Sequence, residues 1–248
     1  MNPTLAPTAA PPPPRRVRRR LARFVTGLVA GACLVLLGWA GYGAVAWYRF
    51  GDEATAAASD PLLDALMPRV DVAERHEIVV NAPADVTYAA ARDLELARSP
   101  VIRLILAART LPSRLGGEPE PTGHPVGIVD ETLALGWGVL TETPGRLIVM
   151  GAVTKPWEPV VTFHAVPPQE FPRFHQPGFA KIIWTLEADP LGPSRSIART
   201  RTRVLTTDPD SRRLFRRYWA VFSPGIVLIR YEGLRLVKAD AERRAALR

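Results

Sequence analysis

DPDSRRLFRRYWAVFSPGIVLIRYEGLRLVKADAERRAALR, residues 208–248, is the longest helical signal in the chain, and the rest of the sequence is organised around it. Leu214, Tyr218, Val221 and Phe222 recur at i, i+4, i+7 and i+8, with Phe215 and Trp219 beside them, so one face is apolar and aromatic. Arg212, Arg213, Arg216 and Arg217 occupy much of the opposite face. Asp208 is placed to cap the helix, and Pro209 suits a first turn in which no N–H bond is lost. Pro224-Gly225 interrupts the pattern, and an interior proline costs about 3 kcal/mol unless the chain bends. Ile226, Ile229, Gly233 and Leu236 resume the stripe down to Ala241, so the expectation is a long helix kinked or broken near Pro224.

A helix with an apolar face this long needs an apolar partner, and the preceding hundred residues supply strands. The candidates are Val126–Leu135, Trp137–Glu142, Arg146–Val153, Val160–Val166, Phe179–Ala188 and Ser194–Thr207. Thr143-Pro144-Gly145-Arg146 has proline and glycine at the two central turn positions, and 189–193 (DPLGP) marks another hairpin. The last strand alternates cleanly: Ile197, Arg199, Arg201 and Arg203 share one face, and Ala198, Thr200, Thr202 and Val204 share the other. Three arginines in a row belong in water, so the Ala/Thr/Val face is expected to look inward. Upstream, His76–Val80 reads as a strand, Ala84–Leu94 as a helix entered through Asn81-Ala82-Pro83, and Ser99-Pro100 as the start of a second helix reaching about Arg109. Strand, two helices, about six antiparallel strands and a terminal helix make an α+β domain.

The N-terminal quarter has a different character. Residues 1–49 hold seven arginines and no acidic residue, so of the formal charge of +8 only +1 belongs to the remaining 199 residues. The basicity is a juxtamembrane cluster, and the nearly neutral remainder argues against a nucleic-acid partner. The apolar run from Phe24 to Tyr48 has 25 uncharged residues, against the roughly 20 needed to cross a bilayer, with Trp39, Tyr42, Trp47 and Tyr48 crowding its far end. The run exceeds the roughly 7–15 apolar residues of a cleaved signal, although Ala44-Val45-Ala46 is similar to a cleavage site. The expected order is a disordered Pro/Arg-rich cytoplasmic arm (1–23), a transmembrane helix (24–48), a linker (49–68) and a folded domain (69–248). Within the linker Pro61–Met67 forms a short helix capped by Asp60. Arginines on one side of the span place the N-terminus in the cytoplasm and the domain outside, in a bacterial cell membrane. Gly27 and Gly31 make a GxxxG, which packs helix pairs. In a span this rich in glycine that spacing arises by chance, so dimerisation through it is not the favoured reading. The single cysteine, Cys33, precludes an internal disulfide.

Particular stretches resemble a known superfamily. The segment 77–86 (EIVVNAPADV) looks like the opening strand and first-helix entry of the START/polyketide cyclase/birch-pollen-allergen superfamily, often written SRPBCC. The segments 136–157 (GWGVLTETPGRLIVMGAVTKPW), 177–184 (PGFAKIIW), 200–208 (TRTRVLTTD) and 216–230 (RRYWAVFSPGIVLIR) resemble corresponding parts of a bacterial subgroup. The resemblance covers residues 70–245. It implies a helix-grip fold, a curved antiparallel sheet of about six to seven strands around the C-terminal helix, to which this chain adds an N-terminal transmembrane helix. It also implies a deep cavity between sheet and helix for a hydrophobic ligand. Members of the superfamily bind lipids, sterols, polyketides or plant hormones, and some catalyse cyclisation or aromatisation. No family-wide catalytic residue exists to transfer.

The chain's own side chains therefore have to carry the functional reading. His76, His124, His164 and His175 show no ligand spacing, so no metal and no other cofactor is expected. No nucleophile elbow, phosphate loop or Cys/His pairing is present, and no catalytic residue is assigned. Trp137, Met150, Phe163, His164, Trp184, Leu214, Tyr218, Trp219 and Phe222 are the candidate lining of an apolar pocket, with Trp157 nearby; core filling is the competing role for each. Tyr218 is the preferred polar contact, because a buried hydroxyl must find a partner. Glu131 and Glu142 are candidate strand carboxylates, and an acid or His164 beside Tyr218 would be needed for acid–base chemistry. The arginines of the terminal helix (Arg212, Arg213, Arg216, Arg217, Arg230, Arg235) read as a solvated face, with anionic lipid headgroups as the alternative. The expected function is a membrane-tethered carrier of a hydrophobic or lipid-like molecule. The alternatives are a cyclase/aromatase-like enzyme and an interaction or stress-related module with a filled core.

Overall fold

The computed structural model describes residues 15–52, 60–115 and 127–248, with side chains for 23–52, 60–107 and 127–248. The proline-rich stretch 1–14 and His124 lie outside them. The chain divides into two compact units, Met1–Tyr42 and Gly43–Arg248. The first consists, in its described part, of most of helix α1 (Arg15–Tyr48), whose segment Arg23–Tyr48 is long and apolar enough to cross a membrane.

The second unit is α+β. In chain order it contains α2 (Pro61–Leu66), β1 (Val72–Val80), α3 (Ala84–Arg92), α4 (Pro100–Leu115), α5 (Ile128–Ala134), β2 (Gly138–Thr143), β3 (Leu147–Thr154), β4 (Phe163–His164), β5 (Ala180–Gly192), β6 (Arg195–Thr206) and α6 (Pro209–Ala246). The sheet is antiparallel throughout, in the order β1-β6-β5-β3-β2, with β4 on β3. The first strand thus pairs with the last and forms an edge. Helix α6 follows β6 directly and lies on the inner face with α3. Gly145, at φ +76°, makes the β2–β3 turn, closed by Arg146 N–H to the Thr143 carbonyl at 3.0 Å. Asp60 caps α2 by accepting from the Leu62 and Leu63 N–H groups, both at 3.0 Å.

The alternation of β6 sorts the sheet into two faces, as expected, but the arginine face is not in water. Arg203 is 7% exposed. Its guanidinium donates to Asp64 (2.7 Å) and to the Met67 carbonyl (3.2 Å). Arg201 spans both oxygens of Glu187 (2.7 and 2.8 Å) and reaches Asp60 at 2.5 Å. Arg199 reaches Glu77 (2.8 Å), Asp189 (2.5 Å) and Glu187 (3.3 Å). Helix α2 and the β4–β5 connection cover this face, packing Leu63, Met67, Val166 and Phe171 on Val149, Val153 and Ile183. Enough carboxylates come from α2, β1 and β5 to pair every arginine, which is what permits the burial. The domain therefore has three layers rather than two.

Three further expectations are corrected. Residues 128–134, expected as part of a strand, are helical. Asp130 and Glu131 fall in the first turn, where acids are favoured, and the Thr132 hydroxyl donates back to the Ile128 carbonyl at 2.6 Å. The strand expected over 160–166 shrinks to Phe163–His164, because Pro159, Pro167 and Pro168 deprive its flanks of ladder donors. Helix α6 runs unbroken through Pro224, and its buried row is Ser211, Phe215, Trp219, Ser223, Leu234, Val237 and Ala241. That row lies one residue round from the expected stripe, leaving Leu214 and Val221 exposed. Before Pro224 the apolar arc from Val221 through Leu214 to Trp219 is broad, so periodicity alone permits either phase.

Pro224 cannot donate to the Ala220 carbonyl four residues back. The end of α1 packs at that place: a Cβ added to Gly43 would lie 2.4 Å from the Ala220 oxygen. Beyond it, Arg216 donates to the Trp47 carbonyl (2.8 and 3.1 Å) and stacks on the Trp47 ring, 4.2 Å from its centroid. Phe50 packs against Phe215. Gly43→Val is expected to push 43–50 off α6, read as faster protease cleavage after Trp47–Phe50 and a lower thermal midpoint than Gly43→Ala.

Lys181 sits in the outer layer, 2% exposed, with its ammonium on the Pro172 carbonyl (3.1 Å) and 5.0 Å from the Phe171 ring centroid. Burial pulls its pKa from near 10.5 down to about 8. The unfolded chain then binds the extra proton between those values, so stability rises with pH across that window and the full penalty stands below pH 8. Lys181→Met is expected to stabilise the domain at pH 7 by up to about 3 kcal/mol, an advantage that fades from pH 8 to 10.5. Paired denaturant titrations of the two proteins across that range check it.

Candidate functional site

The inner face of the sheet is banded. Near the α3 end, Ile78 and Val80 of β1, Ala198 of β6, Trp184 and Leu186 of β5, and Leu234, Val237 and Ala241 of α6 form one apolar cluster. Toward the start of α6, Val72, Val204, Ala180 and Ile182 pack with Phe215, Trp219 and Ile226 in another. Between the two bands the same strands and the same helix carry polar groups. These are Glu74 and His76 on β1, Thr200 and Thr202 on β6, and Arg230 on α6. The register explains the grouping: His76 pairs with Thr200 and Glu74 with Thr202, so all four side chains leave the sheet on the side that faces α6.

Arg230 is the centre of this band. Its Nη2 donates to Thr202 Oγ1 at 2.9 Å and its Nη1 to Thr200 Oγ1 at 3.3 Å. The guanidinium carbon lies 5.6 Å from the Trp184 ring centroid, and Trp184 Nε1 donates to the same Thr200 hydroxyl at 2.9 Å. Among the described residues no carboxylate pairs with it, unlike Arg199, Arg201 and Arg203 of β6 across the sheet. Burial pulls its pKa down to about 10, while the charge of Glu74 works in the opposite direction. It is a cation at neutral pH, held by neutral hydroxyls alone.

His76 stands next to it, 8% exposed, with its ring edge-on to Tyr231 at 5.0 Å. Its Nε2 lies 3.3 Å from Glu74 Oε2, yet out of line for a hydrogen bond, and is buried without a partner. Ser223, fully buried on the inward row of α6, also has an Oγ with no partner. Buried polar groups are nearly always bonded, so an orphaned imidazole nitrogen beside an uncompensated cation, between one helix and one sheet, marks a place built for something other than core filling. The band reaches solvent at the β1 edge, where Glu74 is 26% and Tyr231 59% exposed.

The candidate lining residues are divided among several places. Met150 and Trp184 are buried in the cluster near α3, with Trp137 at its margin; Trp137 contacts Phe163 at 5.2 Å. Trp219 and Tyr218 belong to the cluster at the start of α6, with Phe222 4.9 Å from Tyr218. Leu214 is 41% exposed. His164 is exposed and pairs with Val153, a residue of the outer layer, so it does not meet Tyr218 on the inner face. Glu142 accepts from Tyr88 Oη (3.1 Å) and pairs with Arg92, while Glu131 is exposed on α5. Arg212, Arg213, Arg217 and Arg235 are exposed, Arg212 also pairing with Asp71, while Arg216 is half-buried on Trp47. The sequence reading passed over His76, Glu74 and the Thr200/Thr202 pair, and it placed Arg230 on a solvated face. The signal available was the polar interruption at matching positions of two inward faces.

An open depression of about 460 Å³ lies elsewhere, lined by Glu170, Arg173, Phe174, His175, Gln176 and Pro177 of the β4–β5 connection. Among the described residues no cluster of three or more His, Cys, Asp or Glu side chains is arranged to hold a metal ion.

No protein-family model matches the chain, and no curated protein matches it in sequence. Among solved structures it is similar to a protein from Chromobacterium violaceum, 15% identical with a TM-score of 0.33, over 68% of this chain and 97% of that one. It is similar to the ZhuI aromatase/cyclase from a Streptomyces strain at 15% identity and TM-score 0.26, over 70% of this chain and 94% of that one. A START superfamily protein from Mycobacterium smegmatis is 13% identical with a TM-score of 0.25, over 71% and 97% of the two chains.

Thr200→Val removes the shared acceptor of Trp184 and Arg230 at constant shape. It is expected to cost about 1–3 kcal/mol, because two buried donors lose their partner. Chemical denaturation of wild type and variant side by side measures the loss.

Proposed function

We propose that the folded domain binds or carries a hydrophobic, lipid-like small molecule between the inner face of the sheet and α6, tethered to a membrane by Arg23–Tyr48. The observation that carries the reading is the polar band itself. Apolar clusters flank it above and below, His76 Nε2 has no partner in it, and it opens at the β1 edge. Ligand sites of this kind combine apolar walls with a few convergent polar groups. The tether reading is supported by the length and composition of Arg23–Tyr48 and by the arginines that precede it. Residues 43–50 pack on α6, so a ligand in the grip would lie next to the gripped helix that also receives the end of the span.

Purified full-length protein, extracted with organic solvent, is expected to release a reproducible apolar compound in mass spectrometry. A protein that is empty and also takes up no fluorescent lipid refutes the proposal. A cyclase-like enzyme is the second reading, favoured by an imidazole and a carboxylate side by side in the band, His76 Nε2 being unbonded 3.3 Å from Glu74. It requires the released compound to change mass on incubation with wild type and not with His76→Ala.

A further inference from the structure

The band contains one permanent cation and one carboxylate that does not neutralise it by contact, and that asymmetry says something about the ligand. Arg199, Arg201 and Arg203 of β6 each hold at least one carboxylate. Arg230, reaching from α6 to the other face of the same strand, holds none among the described residues and uses two of its guanidinium nitrogens on hydroxyls. Among the described residues the remaining guanidinium hydrogens have no acceptor that competes with an incoming one. Thr200 Oγ1 is already claimed by Trp184 Nε1, which fixes the hydroxyl and through it the plane of the guanidinium. Hydroxyls on one side leave the other donors of the fork oriented in advance, the condition under which a guanidinium takes a carboxylate through two parallel bonds.

Resting on the proposed binding role, we infer that the ligand is an amphiphile with a single carboxylate, seated on Arg230 between β1, β6 and α6, with its apolar body against the flanking clusters. One positive charge with Glu74 close by suits a monoanion. A phosphate ester, approaching a charge of −2, would need a second cation, and among the described residues none of this band supplies it. Glu74 also keeps the empty site from holding a bare positive charge, because its carboxylate lowers the local potential without occupying the guanidinium. His76 Nε2, 3.3 Å from that carboxylate, is placed to share its charge when a second anion enters.

The test uses the full chain in phosphatidylcholine nanodiscs, with protein-free discs as the blank, and radiolabelled decanoate, decanol and decyl phosphate as probes. Wild type is expected to bind decanoate at least tenfold more tightly than decanol. Arg230→Gln should abolish that ratio while decanol binding is retained, which also reports that the variant is folded. Arg230→Lys keeps the charge and loses the fork, and is expected to recover only part of the ratio. If Arg230→Gln does not fold, the decanoate-to-decanol ratio of Arg230→Lys against wild type decides, and an unchanged ratio overturns the assignment. Equal binding of decanoate and decanol to wild type leaves the binding role standing and overturns the acid. Decyl phosphate binding more tightly than decanoate overturns the monoanion. Binding of none of the three overturns both the acid and the role on which it rests.

Discussion

The rest of the domain depends on the partition that β6 enforces. A strand reading Arg199, Arg201, Arg203 on one side and Ala198, Thr200, Thr202, Val204 on the other cannot slip by one residue without driving three guanidinium groups into the apolar grip. Because β6 lies between β1 and β5, its register fixes both neighbours. The arginine face then recruits its own cover. Asp60 and Asp64 come from α2, Glu77 from β1, and Glu187 and Asp189 from β5. Removing one partner of such a pair strands a charge in a poorly solvated layer, which costs more than the pair contributes. The lattice therefore works mainly against alternatives.

With the faces assigned, α6 has one place to go. It follows β6 after a turn capped by Asp208, whose carboxylate accepts from the Ser211 hydroxyl, the Gly178 N–H and the Ser211 and Asp210 N–H groups. These bonds hold the Asp208 carboxyl well below the usual carboxylate range. The same group thus fixes where the helix starts and ties its first turn to the entry of β5. Along the helix the inward row alternates bulk with small residues: Phe215 and Trp219, then Ser223, Pro224 and Gly225. The small stretch coincides with the break in helical hydrogen bonding at Ala220, where Gly43 makes its close approach. The proline is tolerated because its missing donor falls where another helix arrives.

The first strand and helix, the caps of α2 and α6, the β2–β3 turn and the alternation of β6 were all readable, because each rests on local chemistry within a few residues. Two kinds of feature were not. The strand expected over 126–135 failed because β-branched and apolar residues look alike in a short helix and a short strand. The phase of α6 failed because Leu214 and Phe215 offer comparable apolar area, and only the partner surface selects between them. The polar band was hidden for a related reason. It exists only once β1 is laid against β6 and both against α6, which brings together positions as distant in sequence as 76, 200 and 230. The stretches that carry the resemblance include positions 200 and 230 without marking either, and stop one residue short of 76. A histidine and an arginine on separate elements look like surface residues until the pairing is known.

The two faces of the sheet now present a controlled contrast within one molecule. Both hold cations against the same pair of strands, β5 and β6, from those strands on the outer face and from α6 on the inner, and both place aromatic rings beside them. On the outer face the charges are matched by carboxylates, except for Lys181, whose proton is correspondingly easier to remove. On the inner face Arg230 keeps its charge, its hydroxyl partners are neutral, and the nearest carboxylate lies beside His76 instead. A fold that closes its outer arginines so thoroughly had the means to close this one. An aspartate at the position of Thr202 would do so, since that side chain already touches the guanidinium. The hydroxyls orient the group and leave its charge unspent, and burial makes that charge felt strongly by whatever enters from the β1 edge. Stability alone gives no reason for such an arrangement, and recognition of an anionic partner does.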